Sequence, residues 1–356
     1  MRKLTINPTN QRKGERALFL SFVGIVKTCL IIQTAFLGDV VLATAIVEEL
    51  HAAHPDWQLD FLLRKGNESL LAHHPFIRKV WVWDKKHKKY SHWWQLCKQI
   101  RRARYDVVIN VQRFFSTGLL TVLSGAGCTI GFDKNPLSFL FDHAVPHLMG
   151  AGIHETDRNH ALAACVTQWK QTFKPRLYLP PEAQQRVAHW QKQGSYCCLA
   201  PASVWFTKQW PREKWLELLN RFPPGYRVYL LGSASDRDLC QWLKEHTTYP
   251  AVDNLAGELN PLESAALMAG ARMNFVNDSA PLHLASAVNA PTAAVFCSTV
   301  PEFGYGPLAD VHFIIQTTEK LPCRPCGLHG HKACPEKHFR CAWTIPVEAL
   351  LQTLDA

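Results

Sequence analysis

The sequence predicts an α/β protein made of two similar halves, each a parallel sheet with helices on both faces. Three observations predict this. Short apolar runs alternate with helix-period patterns along most of the chain, as a doubly covered parallel sheet requires. A proline-rich extended stretch, Phe173-Lys174-Pro175-Arg176-Leu177-Tyr178-Leu179-Pro180-Pro181, interrupts the alternation and has the character of a linker. A second, similar series follows, with no short-period repeat of the solenoid kind. At 356 residues the chain is long enough for two domains. The expected divisions are an extension over 1–27, a first domain over 28–174, a linker over 175–185 and a second domain over 186–356.

Taken in order, Thr28 to Gln33 is a continuous apolar strand. A turn over Thr34 to Asp39 leads into a helix from Val40 to His54, which Pro55 ends. Trp57–Leu63, Lys79–Trp83 and Asp106–Val111 supply three more strands, and Gly125–Phe132 a short fifth. Trp93, Leu96, Cys97 and Ile100 fall on one face of an intervening helix. Beyond the linker, strands are expected at Ser195–Ala200, Tyr226–Leu231, Met273–Val276 and Thr292–Phe296, with helices at Arg212–Phe222 and Pro261–Gly270.

An apolar fraction of 47% and a charged fraction of 19% fit a globular, soluble protein, and a formal charge of +10 favours anionic partners. Eight lysines and arginines lie between Lys85 and Arg104, a solvated helix face or a patch for an anionic acceptor or membrane. Eight of the twelve cysteines are scattered, and most of those eight sit in apolar stretches, which suits a reducing compartment. The apolar run Ala17 to Val26 is too short to span a bilayer and no small-residue cleavage site is evident before the first strand, so the extension is expected to be a loosely packed terminus, in preference to a segment lying on a membrane surface with its basic residues at the headgroups.

Open α/β sheets bind ligands beyond the carboxyl ends of their strands. Three such ends carry chemistry here. Gly38-Asp39 sets a carboxylate on a turn at a helix start, placed to cap the helix or to act as a general base. Pro201 to Pro211 carries Ser203, Thr207 and Lys208 ahead of a helix entered by Trp210-Pro211, a phosphate-binding combination without the glycines of a P-loop. Asn277-Asp278-Ser279-Ala280-Pro281 turns a strand into a helix whose first N–H groups lack intrahelical partners, with His283 one turn on. Arg113, after the fourth strand, is placed to hold an anion. Two phosphate-type sites on one half facing a carboxylate on the other predict a cleft between domains.

The run Thr34-Ala35-Phe36-Leu37-Gly38-Asp39-Val40-Val41-Leu42-Ala43-Thr44 resembles the amino-terminal signature of the bacterial heptosyltransferases, glycosyltransferase family 9. Asn277 to Ala287 resembles their second signature, usually Asp-Ser/Thr-Gly-x-x-His, and Lys208-Gln209-Trp210-Pro211 their Lys-x-Trp-Pro element. Asn110-Val111-Gln112 and His154-Glu155-Thr156-Asp157-Arg158-Asn159 are similar to weaker features of the family. The ordered set covers the chain from about Thr28 to its end.

The resemblance implies a GT-B fold, two Rossmann-like domains with parallel sheets facing a central cleft. It implies inverting transfer of heptose from ADP-heptose to the lipid A-Kdo inner core of lipopolysaccharide. Asp39 would then be the catalytic base and Lys208 the group neutralising the departing pyrophosphate. Ser203, Thr207, Lys208, Asp278, Ser279, Ala280 and His283 would bind the donor, and Gly38 and Arg113 the acceptor. The partners implied are an ADP-sugar, an anionic lipopolysaccharide precursor and a peripheral contact with the inner membrane, so a cytoplasmic protein at that membrane's inner face, with no nucleic acid. Ala280 stands where the family has glycine, Asn110 where aspartate is common and Ala45 where proline is common. A GT-B transferase or epimerase using another sugar nucleotide, and a basic nucleic-acid-binding protein, are the alternatives.

No metal ligand is expected in the active site, since no Asp-x-Asp motif falls at a strand end, and no cofactor is expected to be required, with magnesium left open. Cys323-x2-Cys326-x7-Cys334-x6-Cys341, with His329, His331 and His338 among them, has zinc-like spacing. Free or redox-sensitive thiols are preferred there over a structural zinc, and in neither case is the cluster (the loop 323–341) expected to be catalytic.

Overall fold

The computed structural model describes residues 27–355 except 88 and 151. The expectations for the amino-terminal extension therefore lie outside the described residues, Lys27 apart. The first sheet contains β1 (Thr28–Ile32), β2 (Gln58–Arg64), β3 (Ile77–Trp83), β4 (Val107–Asn110), β5 (Cys128–Phe132) and β6 (His143–Val145). The second contains β7 (Tyr196–Ala200), β8 (Arg227–Leu230), β9 (Val252–Asn254), β10 (Asn274–Asn277), β11 (Thr292–Phe296) and β12 (His312–Gln316). Their orders are β3-β2-β1-β4-β5-β6 and β12-β11-β10-β7-β8-β9, with every pairing parallel. The two halves thus share one topology. In each, strand order reverses between the first and fourth strands, β1 and β4 in front, β7 and β10 behind. Such switch points open a crevice for ligands.

Cys29 to Ile32 are wholly buried, because helices cover both faces of the sheet. On one face lies α1 (Leu37–Ala53), which is apolar around most of its circumference, with Val40, Val41, Leu42, Ala43, Ile46, Val47 and Leu50 all buried. A helix of that kind must be enclosed on several sides. It packs on α4 (Glu155–Thr167) of its own half and on α9 (Ala280–Ala287) of the other. One apolar cluster therefore runs from Ile31 through Val41 to Leu284 and Phe296, joining the halves. Each such side chain contributes about 1.5–3 kcal/mol by leaving water. On the other face of the front sheet, Trp93, Leu96, Cys97 and Ile100 of α2 (Lys89–Ala103) pack on Trp81 and Trp83. Of the aromatics in the basic run, Trp93 belongs to this core while Tyr90 and Trp94 stay exposed.

The segment between the halves is stitched to both. The Arg176 N–H donates to Thr44 Oγ1 at 2.9 Å in front, and the Leu177 N–H to the Ala287 carbonyl at 3.1 Å behind. A helix begins at Pro181, inside the stretch expected to be linker. This α5 (Pro181–Gln191) packs on α8 (Pro261–Ala269) of the rear half. Strands β6, β9 and β12 have no counterpart in the sequence reading. All three are sheet edges, and β6 and β9 are three residues long, so neither burial nor alternation marks them.

Candidate active site

The front wall forms where β1 passes into α1. Asp39 lies in the first turn of α1, half-buried, and its Oδ2 accepts the Phe36 N–H at 3.1 Å. Burial pushes the carboxyl up from its ordinary value. The Phe36 N–H opposes that shift, and the positive charges of His329 and Lys208 oppose it further. Asp39 therefore shares an electrostatic field with Lys208 of the other half. A carboxylate tuned upward is better matched to accept a proton near neutral pH. Gly38 has a specific reason to be glycine. A Cβ there would lie 2.6 Å from Cδ2 of His283, so the backbone of α1 and the ring of α9 meet in direct contact. Lys85, the first of the basic run, folds onto the same turn, donating to the Thr34 carbonyl at 2.8 Å and hydroxyl at 2.9 Å.

The rear wall forms where β7 and β10 end. Lys208 sits in a short 3-10 turn, Phe206–Lys208, and its Nζ lies 2.7 Å from Asp278 Oδ2. The same oxygen accepts the Thr299 hydroxyl at 2.6 Å. Asn277 ties the two strand ends together, donating to the Pro201 carbonyl at 2.7 Å and accepting the Trp210 N–H at 3.0 Å. Ser279 and Ala280 open α9; Pro281 has no N–H and the Leu282 N–H bonds to the Ser279 carbonyl at 3.0 Å, which leaves the Ala280 N–H at the helix start for an anion. Ser203 is half-buried on the loop after β7, in the same strand-end wall.

Two expected donor residues occupy other positions in this wall. Thr207 is buried, and its hydroxyl accepts the His331 N–H at 2.7 Å and the Ser298 hydroxyl at 3.1 Å, so it braces the turn carrying Lys208. His283 is also buried, and loss of solvent pulls its imidazole down to about 3, so it is neutral at any physiological pH. Arg113 is exposed at the end of β4, close enough to His329 for its charge to be felt there.

A clamp that sequence reasoning caught only as a weak motif joins the halves beneath the gap. Arg158 Nη2 pairs with Glu155 Oε2 at 2.7 Å, and the guanidinium also donates to Ile153 O at 2.6 Å and to Phe303 O of the rear half at 3.1 Å. The Glu155 N–H reaches Gly304 O at 2.7 Å. A Cβ on Gly304 would sit 2.2 Å from the Ile153 carbonyl. Asn277, Thr299 and this clamp shape the site through contacts far apart in sequence, which no local pattern announces.

Among the described residues, no group of three metal-ligating side chains is gathered around a common point. The four clustered cysteines are free thiols, and burial pushes Cys341 up to about 11. Nor is any described helix long and apolar enough to cross a membrane.

The arrangement pairs an acid in front with a lysine and a helix start behind, the geometry that sugar-nucleotide transferases need. The family profile described as glycosyltransferase family 9 (heptosyltransferase) matches residues 93–337, more than half of the chain. Lipopolysaccharide heptosyltransferase 1 of Pseudomonas aeruginosa is 28% identical over 328 residues, covering 83% of this chain and 85% of that protein. Among solved structures, the Escherichia coli ADP-heptose lipopolysaccharide heptosyltransferase II superposes with a TM-score of 0.76 at 20% identity, over 92% of this chain and 97% of the other. The Escherichia coli heptosyltransferase WaaC, solved with ADP-2-deoxy-2-fluoro heptose, gives 0.70 at 19% identity, over 92% and 99%. The fold is GT-B, and the chain belongs to glycosyltransferase family 9, the heptosyltransferases.

Proposed function

We propose that this glycosyltransferase moves heptose from ADP-heptose to the inner core of a lipopolysaccharide precursor, with inversion at the anomeric carbon. The observation that carries the reading is that Asp39 follows β1 beside the Gly38–His283 contact between the halves, while Lys208 and Asp278, 2.7 Å apart, follow β7 and β10 at the matching switch point of the other sheet. Asp39 takes the proton of the acceptor hydroxyl, whose oxygen bonds to the anomeric carbon. The bond from that carbon to the β-phosphate oxygen breaks on the opposite face, and ADP leaves with the electron pair. Lys208 and the Ala280 N–H at the start of α9 meet the charge as it develops, which is where fixed donors lower a barrier most. Asp278 and Thr299 hold the lysine in place. The relative named a lipopolysaccharide heptosyltransferase and the neighbour solved with an ADP-heptose analogue support the choice of donor and acceptor. Such an acceptor is anionic, in keeping with the charge of +10.

The acceptor is embedded in a lipid surface, and the front half has a rim suited to it. Phe36, Phe114, Phe115, Phe139, Leu140 and Leu148 are exposed after β1, β4, β5 and β6, with Arg113 among them. Peripheral contact with the cytoplasmic face of the inner membrane through this rim completes the reading. Thermal shift with nucleotides tests the donor. Stabilisation by ADP and ADP-heptose but not by UDP or GDP is the expected result; stabilisation by UDP alone would replace heptose with another sugar.

A further inference from the structure

The loop that carries Cys323, Cys326 and Cys334 runs from Leu321 to Phe339 without regular structure and leads into a short helix holding Cys341, yet it is fastened at both base and tip. At its base, Arg324 Nε donates to Cys297 O at 2.7 Å, and Nη2 donates to Thr299 O at 2.9 Å and Phe296 O at 3.2 Å. The Cys326 N–H adds a bond to Ser298 O at 2.8 Å. The guanidinium thereby caps the carboxyl end of β11, beside the Thr299 that holds Asp278. At its tip, the loop pairs with the turn that carries Lys208. The Thr207 N–H donates to His331 O at 3.1 Å, and the His331 N–H returns to Thr207 Oγ1. Gly330, at φ +74°, lies so close that a Cβ would come 2.9 Å from Cγ of Lys208 and 3.0 Å from Thr207 Oγ1. The Thr207–His331 pair thus holds the loop backbone at Gly330 against the stem of Lys208, and the preceding side chain lies one residue from that contact. That side chain is His329, which is exposed.

We propose that His329 is a donor-binding residue whose imidazole, beside Lys208, contacts the diphosphate of the sugar nucleotide and carries a proton when that anion is bound. The proposal rests on the reading of the gap as a diphosphate site. The charged groups around His329 explain the proton. In the free protein, partial loss of solvent and then the charges of Lys208 and Arg113 hold the imidazole below its ordinary value, while Asp39 and Asp278 pull the other way. A diphosphate seated against Lys208 adds negative charge at that spot and reverses the balance, so the ring takes up a proton and donates to a phosphate oxygen. The cysteine-rich segment thus serves as a strap that delivers one functional side chain to the cleft, which its metal-like spacing did not suggest.

Calorimetric titration of the full chain with ADP at about pH 6 and about pH 8, on either side of the ordinary histidine range, tests this. Wild type should bind ADP more tightly at the lower pH. H329A should bind about tenfold more weakly there and lose the pH dependence, as expected for removal of one charge-assisted hydrogen bond. H329Q should lose the pH dependence while keeping most of the affinity at the higher pH. L328A, a neighbour on the same strap, should behave as wild type. An H329A protein that keeps both affinity and pH dependence overturns the assignment, and so does an L328A protein with the same loss, which would trace the effect to loop packing. A wild-type protein that binds no ADP at either pH brings down the diphosphate reading itself, a result distinct from both.

Discussion

The two halves share a strand order yet are furnished with opposite chemistry. In front, the loop at the switch point carries an acid, Asp39, bonded only to a backbone N–H and raised by burial. Behind, the corresponding loops carry a lysine already neutralised by Asp278, which a threonine hydroxyl steadies in turn. The front site is poised to change its protonation; the rear site is a fixed electrostatic fixture. One scaffold, duplicated, serves both because the sheet specifies only where the loops open, and the loops specify the charge.

The comparison can be broken most severely at Asp39. D39N should lower the transfer rate by about a thousandfold, the range for loss of a general base, while ADP affinity changes little. Steady-state transfer with ADP-heptose alongside ADP titration separates the two effects. K208M attacks the other side. Transfer should fall by about a hundredfold or more, the scale for removal of one charge-stabilising donor. ADP binding should weaken as well. Because Asp278 is then left buried without its partner, unfolding should become easier by about 3 kcal/mol in denaturant melts. D39N should leave stability nearly unchanged, a contrast that follows directly from the way the two residues are held.

A gentler break is G38A. Its Cβ meets the His283 ring at 2.6 Å, so the halves must shift by a fraction of an ångström to an ångström, and the rate should drop by up to about a hundredfold with ADP affinity retained. The pH profile sharpens the comparison further. Asp39 works only when deprotonated, and burial raises its pKa, so kcat/KM should fall with acidification at a pH above the ordinary carboxylate range. An acid limb at or below the usual aspartate value would show that Asp39 is not the titrating base. The smallest expected effect is that of chelator. If Lys208 and α9 meet the leaving charge without a resident divalent ion, transfer rates with and without EDTA should agree within error.

Much of this was legible in the sequence. The strands β1 and β7 are runs of largely apolar residues of the kind a doubly covered sheet requires, β10 is a buried Phe-Val pair between two asparagines, and Asp39, Lys208 and Asp278 stand beyond their ends, where α/β proteins keep their chemistry. Edge strands escaped because a short, half-exposed segment such as β6 or β9 has no burial pattern to read. The roles of Thr207 and His283 were blurred for a different reason. A motif fixes which residues approach the site, and packing decides which of them face it. Thr207 turns its hydroxyl to His331, and His283 lays its ring against Gly38. His329 was hidden most completely. It is more than a hundred residues from Lys208, and its loop meets the Lys208 turn through the His331–Thr207 pair, which leaves no periodicity and no spacing behind.

The central claim is that one diphosphate sits against the rear half while the base faces it from the front. A crystal structure of the protein with ADP tests this most directly. The account predicts the phosphates within hydrogen-bonding distance of Lys208 and the first turn of α9, with Asp39 across the gap and touching no phosphate oxygen. Phosphates bound instead at the ends of β1 and β4, or a nucleotide seated away from Lys208 altogether, would contradict it.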